Sequence, residues 1–258
     1  MAEQTPGLYV RFAELSYPEV ERLLALQQPK VALLPVGSTE AHGPHLPLST
    51  DSLIGEAVVG LAAGELAGRG HLAAVLPPIH YAVTEWAKDF AGSTSIGAEV
   101  AIGLVLGTCR AMRAMGFDRV VVFTAHLEPD HIASLREVAR RYEADTGDTL
   151  LFVDTTRRAL AARLTPEFQS GSCHAGRYET SLVLAIRPDL VRMDLAAALP
   201  EHPVPLAEHI RAGKRGFLEC DMPRAYCGAP AAATAEEGRE ILATLATLVV
   251  EAVVASLA

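Results

Sequence analysis

Residues 116–128 read Gly116-Phe117-Asp118-Arg119-Val120-Val121-Val122-Phe123-Thr124-Ala125-His126-Leu127-Glu128, and this stretch decides the fold. Val120–Phe123 is an unbroken run of β-branched and aromatic side chains, the pattern of a short strand buried on both faces. The apolar-periodic segment 97–115 predicts a long helix, which Gly116 closes. A second helix is predicted from about residue 130 to 145. Helix, buried strand and helix in succession belong to a parallel sheet covered on both sides.

The same alternation extends outward. Val31–Val36 predicts another buried strand, and Val75–Ile79 and Leu150–Val153 predict two more. Residues 37–50 are rich in Gly, Pro, Ser and Thr and read as loop; Asp51 then opens a helix that ends near Gly68 and Gly70. Ser16 and Glu19 have capping-box spacing, with Pro18 in the first turn, for a helix to about residue 27. Glu179–Arg187 predicts a helix that stops before Pro188. Residues 198–230 carry many Pro and Gly and no period, which suggests a loop excursion, and Thr234 with Glu237 caps a last long helix. No repeat or low-complexity linker divides the chain, so residues 1–258 are expected to form one α/β domain.

Half of the 258 residues are hydrophobic, and 22 basic against 31 acidic residues give a formal charge of −9. Disorder is excluded by the apolar content. Without a basic stripe, neither a nucleic acid nor an anionic membrane is expected as a partner. Cys109, Cys173, Cys220 and Cys227 form no Cys-x-x-Cys pair, so no structural zinc or redox motif is expected. The first residues, MAEQTPGLYVRF, lack a basic region followed by an apolar core, so a cytoplasmic location is expected. Ile241–Ala258, interrupted by Glu251, reads as a buried or subunit-contacting helix and not as a membrane span.

Parallel α/β sheets bind ligands beyond the carboxyl ends of their strands. Three acid- and histidine-bearing segments fall there or open a helix. Glu40 and His42 follow the first buried strand and, two residues apart, project to one side of an extended chain. Asp51, beyond the Gly/Pro-rich loop, either caps its helix or folds back to join them. His126 and Glu128 repeat the imidazole–carboxylate pair directly after Val120–Phe123, while His131 is expected on a helix surface.

Two imidazoles and three carboxylates exceed what one tetrahedral ion takes. They suit two divalent ions sharing a carboxylate, a centre that makes a hydroxide nucleophile at neutral pH. Three carboxylates and a hydroxide carry about −4, which matches two divalent ions. Zinc and manganese both suit these donors, and iron is compatible. In Cys173-His174-Ala175-Gly176-Arg177-Tyr178-Glu179-Thr180-Ser181, His174 is a suitable proton donor for a leaving nitrogen. Glu179 either caps its helix or joins the site.

The stretches LLPVGSTEAHGPHLPLSTD (33–51), HLE (126–128), CHAGRYETS (173–181) and ATAEEG (233–238) together resemble the creatininase (creatinine amidohydrolase) family over most of the chain. The resemblance implies a three-layer α/β/α sandwich with a mostly parallel central sheet, hydrolysis of C–N bonds in small-molecule amides or lactams, two divalent ions, and a homo-oligomer, often a hexamer. It implies Glu40, His42, Asp51, His126 and Glu128 as metal ligands, with Asp51 bridging, Glu40 and His126 on one ion, and His42 and Glu128 on the other. His174 would be the catalytic acid/base, acting with Glu128, and Glu179 a neighbouring ligand or orienting group. Other branches of the family deformylate a nucleotide precursor or trim a modified peptide.

The chain departs from the family pattern in places. Thr124-Ala125-His126-Leu127-Glu128-Pro129 stands where many members carry Asn-x-His-Gly-Gly-Asn. Glu85-Trp86 and Phe90-Ala91-Gly92-Ser93-Thr94 stand where members read Glu-His and Phe-Pro-Gly-Thr, and Gly228-Ala229-Pro230 replaces Gly-Asp-Pro. The His126-x-Glu128 arrangement is nearer to creatininase proper than to the other branches. These departures bear on the substrate more than on the metals, and Trp86, Ser93 and Cys173 are expected in the substrate pocket. Three functions follow: hydrolysis of a small lactam, cyclic amidine or amide; the same centre acting on a formamide or a peptide terminus; or a binding or scaffold protein without turnover.

Overall fold

In this computed structural model, which describes residues 7–257, five strands pair in parallel: β1 (Leu8–Arg11), β2 (Lys30–Val36), β3 (Leu72–Val75), β4 (Arg119–Thr124) and β5 (Leu151–Val153). Their order across the sheet is β1-β3-β2-β4-β5. Between and after them run α1 (Tyr17–Leu24), α2 (Thr50–Gly68), α3 (Ala98–Met115), α4 (Pro129–Thr146), α5 (Arg158–Ala161), α6 (Pro166–Ser170), α7 (Arg177–Ile186), α8 (Met193–Ala197), α9 (Leu206–Arg211) and α10 (Ala235–Leu257).

Successive strand side chains point to opposite faces. Val31, Leu33, Val121 and Phe123 therefore enter a core with α2, α7 and α10, while Ala32, Leu34, Val120 and Val122 enter a second core with α3 and α4. Both faces need apolar residues, which is why β2 and β4 read as continuous hydrophobic runs. The result is the expected three-layer α/β/α sandwich.

The strand expectations need correction in two places. β3 ends at Val75 and does not span Val75–Ile79. Pro77 and Pro78 have no N–H for the ladder, and Ile79 returns only as an isolated bridge to Val36. β1, which no strand expectation covered, carries only the three-residue apolar run Leu8-Tyr9-Val10, and as an edge strand it leaves Leu8 and Tyr9 39% and 42% exposed while it pairs with β3. The Ser16–Glu19 capping box is present. The excursion at 198–230 includes α9 and short 3-10 turns.

By length and composition α10 could cross a membrane. Here it buries a stripe of Ile241, Leu242, Leu245, Leu248, Val249 and Val253 in the core beside α2 and α7. Thr234 Oγ1 accepts the Glu237 N–H at 3.2 Å. The Glu237 carboxylate does not close a capping box; it accepts from Arg177 Nε at 2.6 Å and Ser181 Oγ at 2.9 Å, which ties α10 to α7.

The chain leaves β2 through α2 on one layer and leaves β4 through α4 on the other. The loops after these adjacent central strands diverge and open a crevice between them, the usual ligand position in a doubly wound sheet.

Replacing a helical glycine by alanine ordinarily stabilises by about 1 kcal/mol. Gly103 in α3 has open space around its missing Cβ, so Gly103→Ala should raise the melting temperature. A Cβ at Gly238 would overlap the Ser181 carbonyl of α7. Gly238→Ala should therefore reverse the sign and cost roughly 1–3 kcal/mol, read by chemical denaturation beside the Gly103 variant.

Candidate metal centre

The loop after β2 is braced from several sides. Gly37 N–H donates to the Ile79 carbonyl at 2.8 Å and Glu40 N–H to the Leu48 carbonyl at 3.1 Å. Gly43 sits at φ +63°, a left-handed conformation suited to glycine, and its N–H donates to the Ala225 carbonyl at 2.7 Å. Asp51 lies in the first turn of α2 and accepts Ser38 Oγ at 2.6 Å. Folding the loop back joins Asp51 to Glu40 and His42.

Asp51 is the centre of the arrangement. Its Oδ1 faces His42 Nε2 at 3.3 Å, and its Oδ2 faces His126 Nδ1 at 3.2 Å. Glu40 Oε1 stands 3.1 Å from His126 Nδ1 and 3.8 Å from His42 Nε2. Glu179 Oε2 stands 3.6 Å from His42 Nε2. Glu40, His42, Asp51, His126, Glu128 and Glu179 are all buried. Glu40–His126–Glu128 and His42–Asp51–Glu179 are each close enough to hold an ion, and so are Glu40, His42 and His174.

The implied pairing of His42 with Glu128 differs from this geometry: besides Asp51 and Glu40, the carboxylate beside His42 is that of Glu179. Glu128, the N-cap residue of α4, accepts the Glu85 and Trp86 backbone N–H groups at 3.0 and 3.1 Å and lies on the His126 side, 4.0 Å from Nε2. Glu179 is aimed inward from the first turn of α7 and accepts the Ala175 N–H at 2.7 Å.

A backbone carbonyl fixes each imidazole. His42 Nδ1 donates to the Glu40 carbonyl at 3.1 Å, and His126 Nε2 donates to the Val83 carbonyl at 2.8 Å. Each ring then turns its other nitrogen toward carboxylate oxygens. A bare nitrogen against bare oxygens repels unless a cation lies between them, and the buried His42 Nε2 and Glu40 Oε2 have no hydrogen-bond partner. The donor set fits divalent ions, with carbonyls orienting the ligand rings as metal centres require.

Protons are the alternative cations. Burial lowers the His42 pKa, but Asp51, Glu179 and Glu40 outweigh it and raise it to about 10. His126 is raised by Glu40 and Asp51 against the same burial penalty. Burial pushes Glu128 up to about 7 and Glu179 up to about 8. Asp51 is held well below its ordinary value, because His42 and His126 overcome burial.

His174 donates from Nε2 to the Ala41 carbonyl at 3.0 Å, and its ring packs 4.5 Å from His42 and 4.2 Å from Phe217. Burial and the neighbouring His42 lower its pKa well below the usual imidazole range. The donor atoms form the floor of a cavity of about 290 Å³, walled by Trp86, Leu127, Phe168, Leu206, Ile210 and Phe217. No lysine or arginine lines it.

Trp86 and Cys173 line this cavity, and Ser93 does not. Ser93 instead accepts the Ala41 N–H at 3.0 Å and so supports the ligand loop. His131 is also corrected: it is 1% exposed, because α4 turns it toward the sheet with Ile132 and Leu135. Phe168, Phe217 and the α9 residues Leu206 and Ile210 are walls that the sequence does not mark, since their irregular segments carry no period.

A family model described as Creatinine amidohydrolase matches residues 13–253. A mycofactocin precursor peptide peptidase of Mycobacterium ulcerans (strain Agy99) is 36% identical over 219 residues, 83% of this chain and 80% of its own length. A creatinine amidohydrolase of Pseudomonas putida is 31% identical over 196 residues, covering 70% of this chain and 73% of that protein. A solved structure described as "Creatininase Mn" shares the fold with a TM-score of 0.69 at 24% identity, over 96% of this chain and 97% of that one. Identity is higher to the peptidase relative, 36% against 31%. A family match over nearly the whole length places this chain in the creatininase (creatinine amidohydrolase) family.

Proposed function

We propose that this chain hydrolyses an amide C–N bond with two divalent ions, manganese or zinc, and that its substrate is an open-chain, peptide-like amide with apolar groups beside the bond. One observation carries this reading: a floor of buried carboxylates and imidazoles beneath apolar cavity walls that contain no fixed cation. The peptidase name of the Mycobacterium ulcerans relative supports the peptide-like substrate, and the manganese named with the creatininase structure is in keeping with that metal.

Glu40, His126 and Asp51 would hold one ion, and His42, Asp51 and Glu179 the other. When bound, the pair supplies a Lewis acid for the carbonyl and lowers the pKa of a water. Glu128 stays clear of the His42 half and is fixed by two backbone N–H groups. Held there by the two N–H groups, its carboxylate is placed to take the proton of the attacking water. His174 has committed Nε2–H to Ala41 and is neutral at rest, so its Nδ1 would first take up the proton released from the water and then pass it to the leaving nitrogen. Phe217 and Trp86 keep bulk water off that ring and shape the substrate's apolar side.

A second reading, a small lactam or cyclic amidine as substrate, is favoured by His126-x-Glu128 and by the relationship to the Pseudomonas putida enzyme. Product analysis of the metal-loaded protein against short apolar peptides, lactams including creatinine, and formamides decides the matter. We expect cleavage at a peptide terminus. Lactam opening alone supports the second reading, formate release the deformylase branch, and a metal-loaded protein inert toward every class the scaffold role.

Elemental analysis should find two ions per wild-type chain, about one in Glu179→Gln and fewer than one in Asp51→Asn. Chelation should abolish turnover, and hydrolysis that persists without metal would refute the assignment.

Metal binding should also release protons. Before binding, His42 holds a proton up to about pH 10, Glu179 up to about 8 and Glu128 up to about 7. Ions must displace the protons on the donors they engage. Affinity should therefore weaken as pH falls from 8 to 6, by roughly tenfold per pH unit for each proton displaced. Calorimetry in buffers of different ionisation enthalpy reads the proton count directly.

A further inference from the structure

We propose that His131, on the buried face of α4, is a positioning residue for His126: it holds that residue through Thr124 and so sets how tightly the Glu40–His126 half of the centre grips its ion. The inference rests on the dinuclear reading above and concerns a side chain outside the donor set.

His131 Nε2 stands 3.2 Å from Thr124 Oγ1. Thr124 Oγ1 accepts the His126 N–H at 3.1 Å and faces the His126 carbonyl at 3.3 Å, so one hydroxyl spans both backbone ends of the ligand residue. The His131 ring also packs on the His126 ring, with centroids 4.8 Å apart and planes at 43°. Two anchors thereby fix His126 from different sides. The Val83 carbonyl holds Nε2 and sets the tautomer, while the Thr124–His131 pair holds the backbone and one ring face. The remaining freedom is small, and Nδ1 points at Glu40 and Asp51.

Proton counting agrees with this arrangement. The single hydroxyl proton of Thr124 goes to the His126 carbonyl, and its oxygen accepts from His126 N–H and His131 Nε2–H. That assignment leaves His131 Nδ1 as a bare acceptor, and this buried atom has no partner. The opposite tautomer would strand an N–H there, the costlier error in a dry interior.

An imidazole is also an unexpected choice at this position. Its neighbours on the buried face of α4 are Ile132, Leu135 and Val138, and a leucine would fill the space without desolvating two ring nitrogens. His131 does not line the cavity, so it acts through His126 and touches no substrate. Groups that orient metal ligands in this way typically contribute 10–100-fold to affinity.

The test titrates the metal-free full-length chain with Zn²⁺ against a chromophoric chelator, and with Co²⁺ followed by visible absorption. Wild type should take two ions. In His131→Leu, one of the two dissociation constants should weaken by about 10–100-fold and the Co²⁺ spectrum should shift, while the metal-free melting temperature stays at or above that of wild type. His131→Gln, whose amide N–H reaches toward Thr124, should stay within a few-fold of wild type. Thr124→Val should reproduce the leucine loss, and the double variant should add nothing to it. Unchanged constants and spectrum in His131→Leu overturn the proposal, as does a glutamine variant that falls as far as the leucine one. If His131→Leu does not fold, unchanged affinity in Thr124→Val overturns it instead. A wild type that takes up no ion removes the dinuclear reading itself, a result distinct from a loaded wild type with indifferent variants.

Discussion

Four carboxylates, those of Glu40, Asp51, Glu128 and Glu179, converge on two imidazoles inside a crevice lined by no lysine or arginine. Buried like charges of this kind are costly until cations sit among them. Helix placement reduces the cost before any cation arrives. Asp51 stands in the first turn of α2, Glu128 at the N-cap position of α4 with no side-chain bond to that helix, and Glu179 in the first turn of α7. Each carboxylate thus meets the positive end of a helix dipole, and Glu128 and Glu179 also accept backbone N–H groups. Only Glu40 comes from a loop, and its Oε2 is left without a hydrogen-bond partner.

The sheet topology follows from the same requirement. Three helix N-termini can converge only where connections leave adjacent strands toward opposite layers, and β2 and β4 meet that condition. Glu40, His42, His126 and Glu128 follow these two strands directly. Glu179 arrives from α7, far along the chain but packed against α2 and α10. Thr234 Oγ1 caps α10, and Glu237 clamps α10 to α7. The C-terminal helix therefore supports the segment that aims Glu179, although it contributes no donor.

Much of this was legible in the sequence because the signals were local. Continuous apolar runs marked β2 and β4, Gly116 closed α3, and imidazole–carboxylate pairs two residues apart stood just past the strands. What the sequence hid was spatial. Whether Glu128 or Glu179 meets His42 depends on the Glu85 and Trp86 amides holding Glu128 aside, a contact across about forty residues. Ser93 looked like a pocket residue and instead supports Ala41. His131 stands four residues before Leu135 and seven before Val138, so the helical period does put it on the buried face; what the sequence hid is the Thr124 hydroxyl that justifies burying an imidazole there. β1 was missed because its apolar run, residues 8–10, is short, and what makes it a strand is the ladder it forms with β3.

The floor and walls of the cavity answer to different constraints. The floor must satisfy the charge and geometry of two ions, so its residue types cannot drift without losing the metals. The walls come from β–α loops, from α6 and α9, and from the irregular stretch around Phe217. Leu206, Ile210 and Phe217 lie outside the core that α2, α7 and α10 form on the sheet, whereas Phe168 belongs to it, so the α9 and Phe217 walls are the ones free to change shape. Reaction class is therefore set where the chain is most constrained, at Asp51 between two imidazoles. In the proposed reading the walls, Trp86, Phe168, Leu206, Ile210 and Phe217, would govern the choice of substrate by what they exclude: water, charge, and any substrate lacking an apolar surface to lay against them.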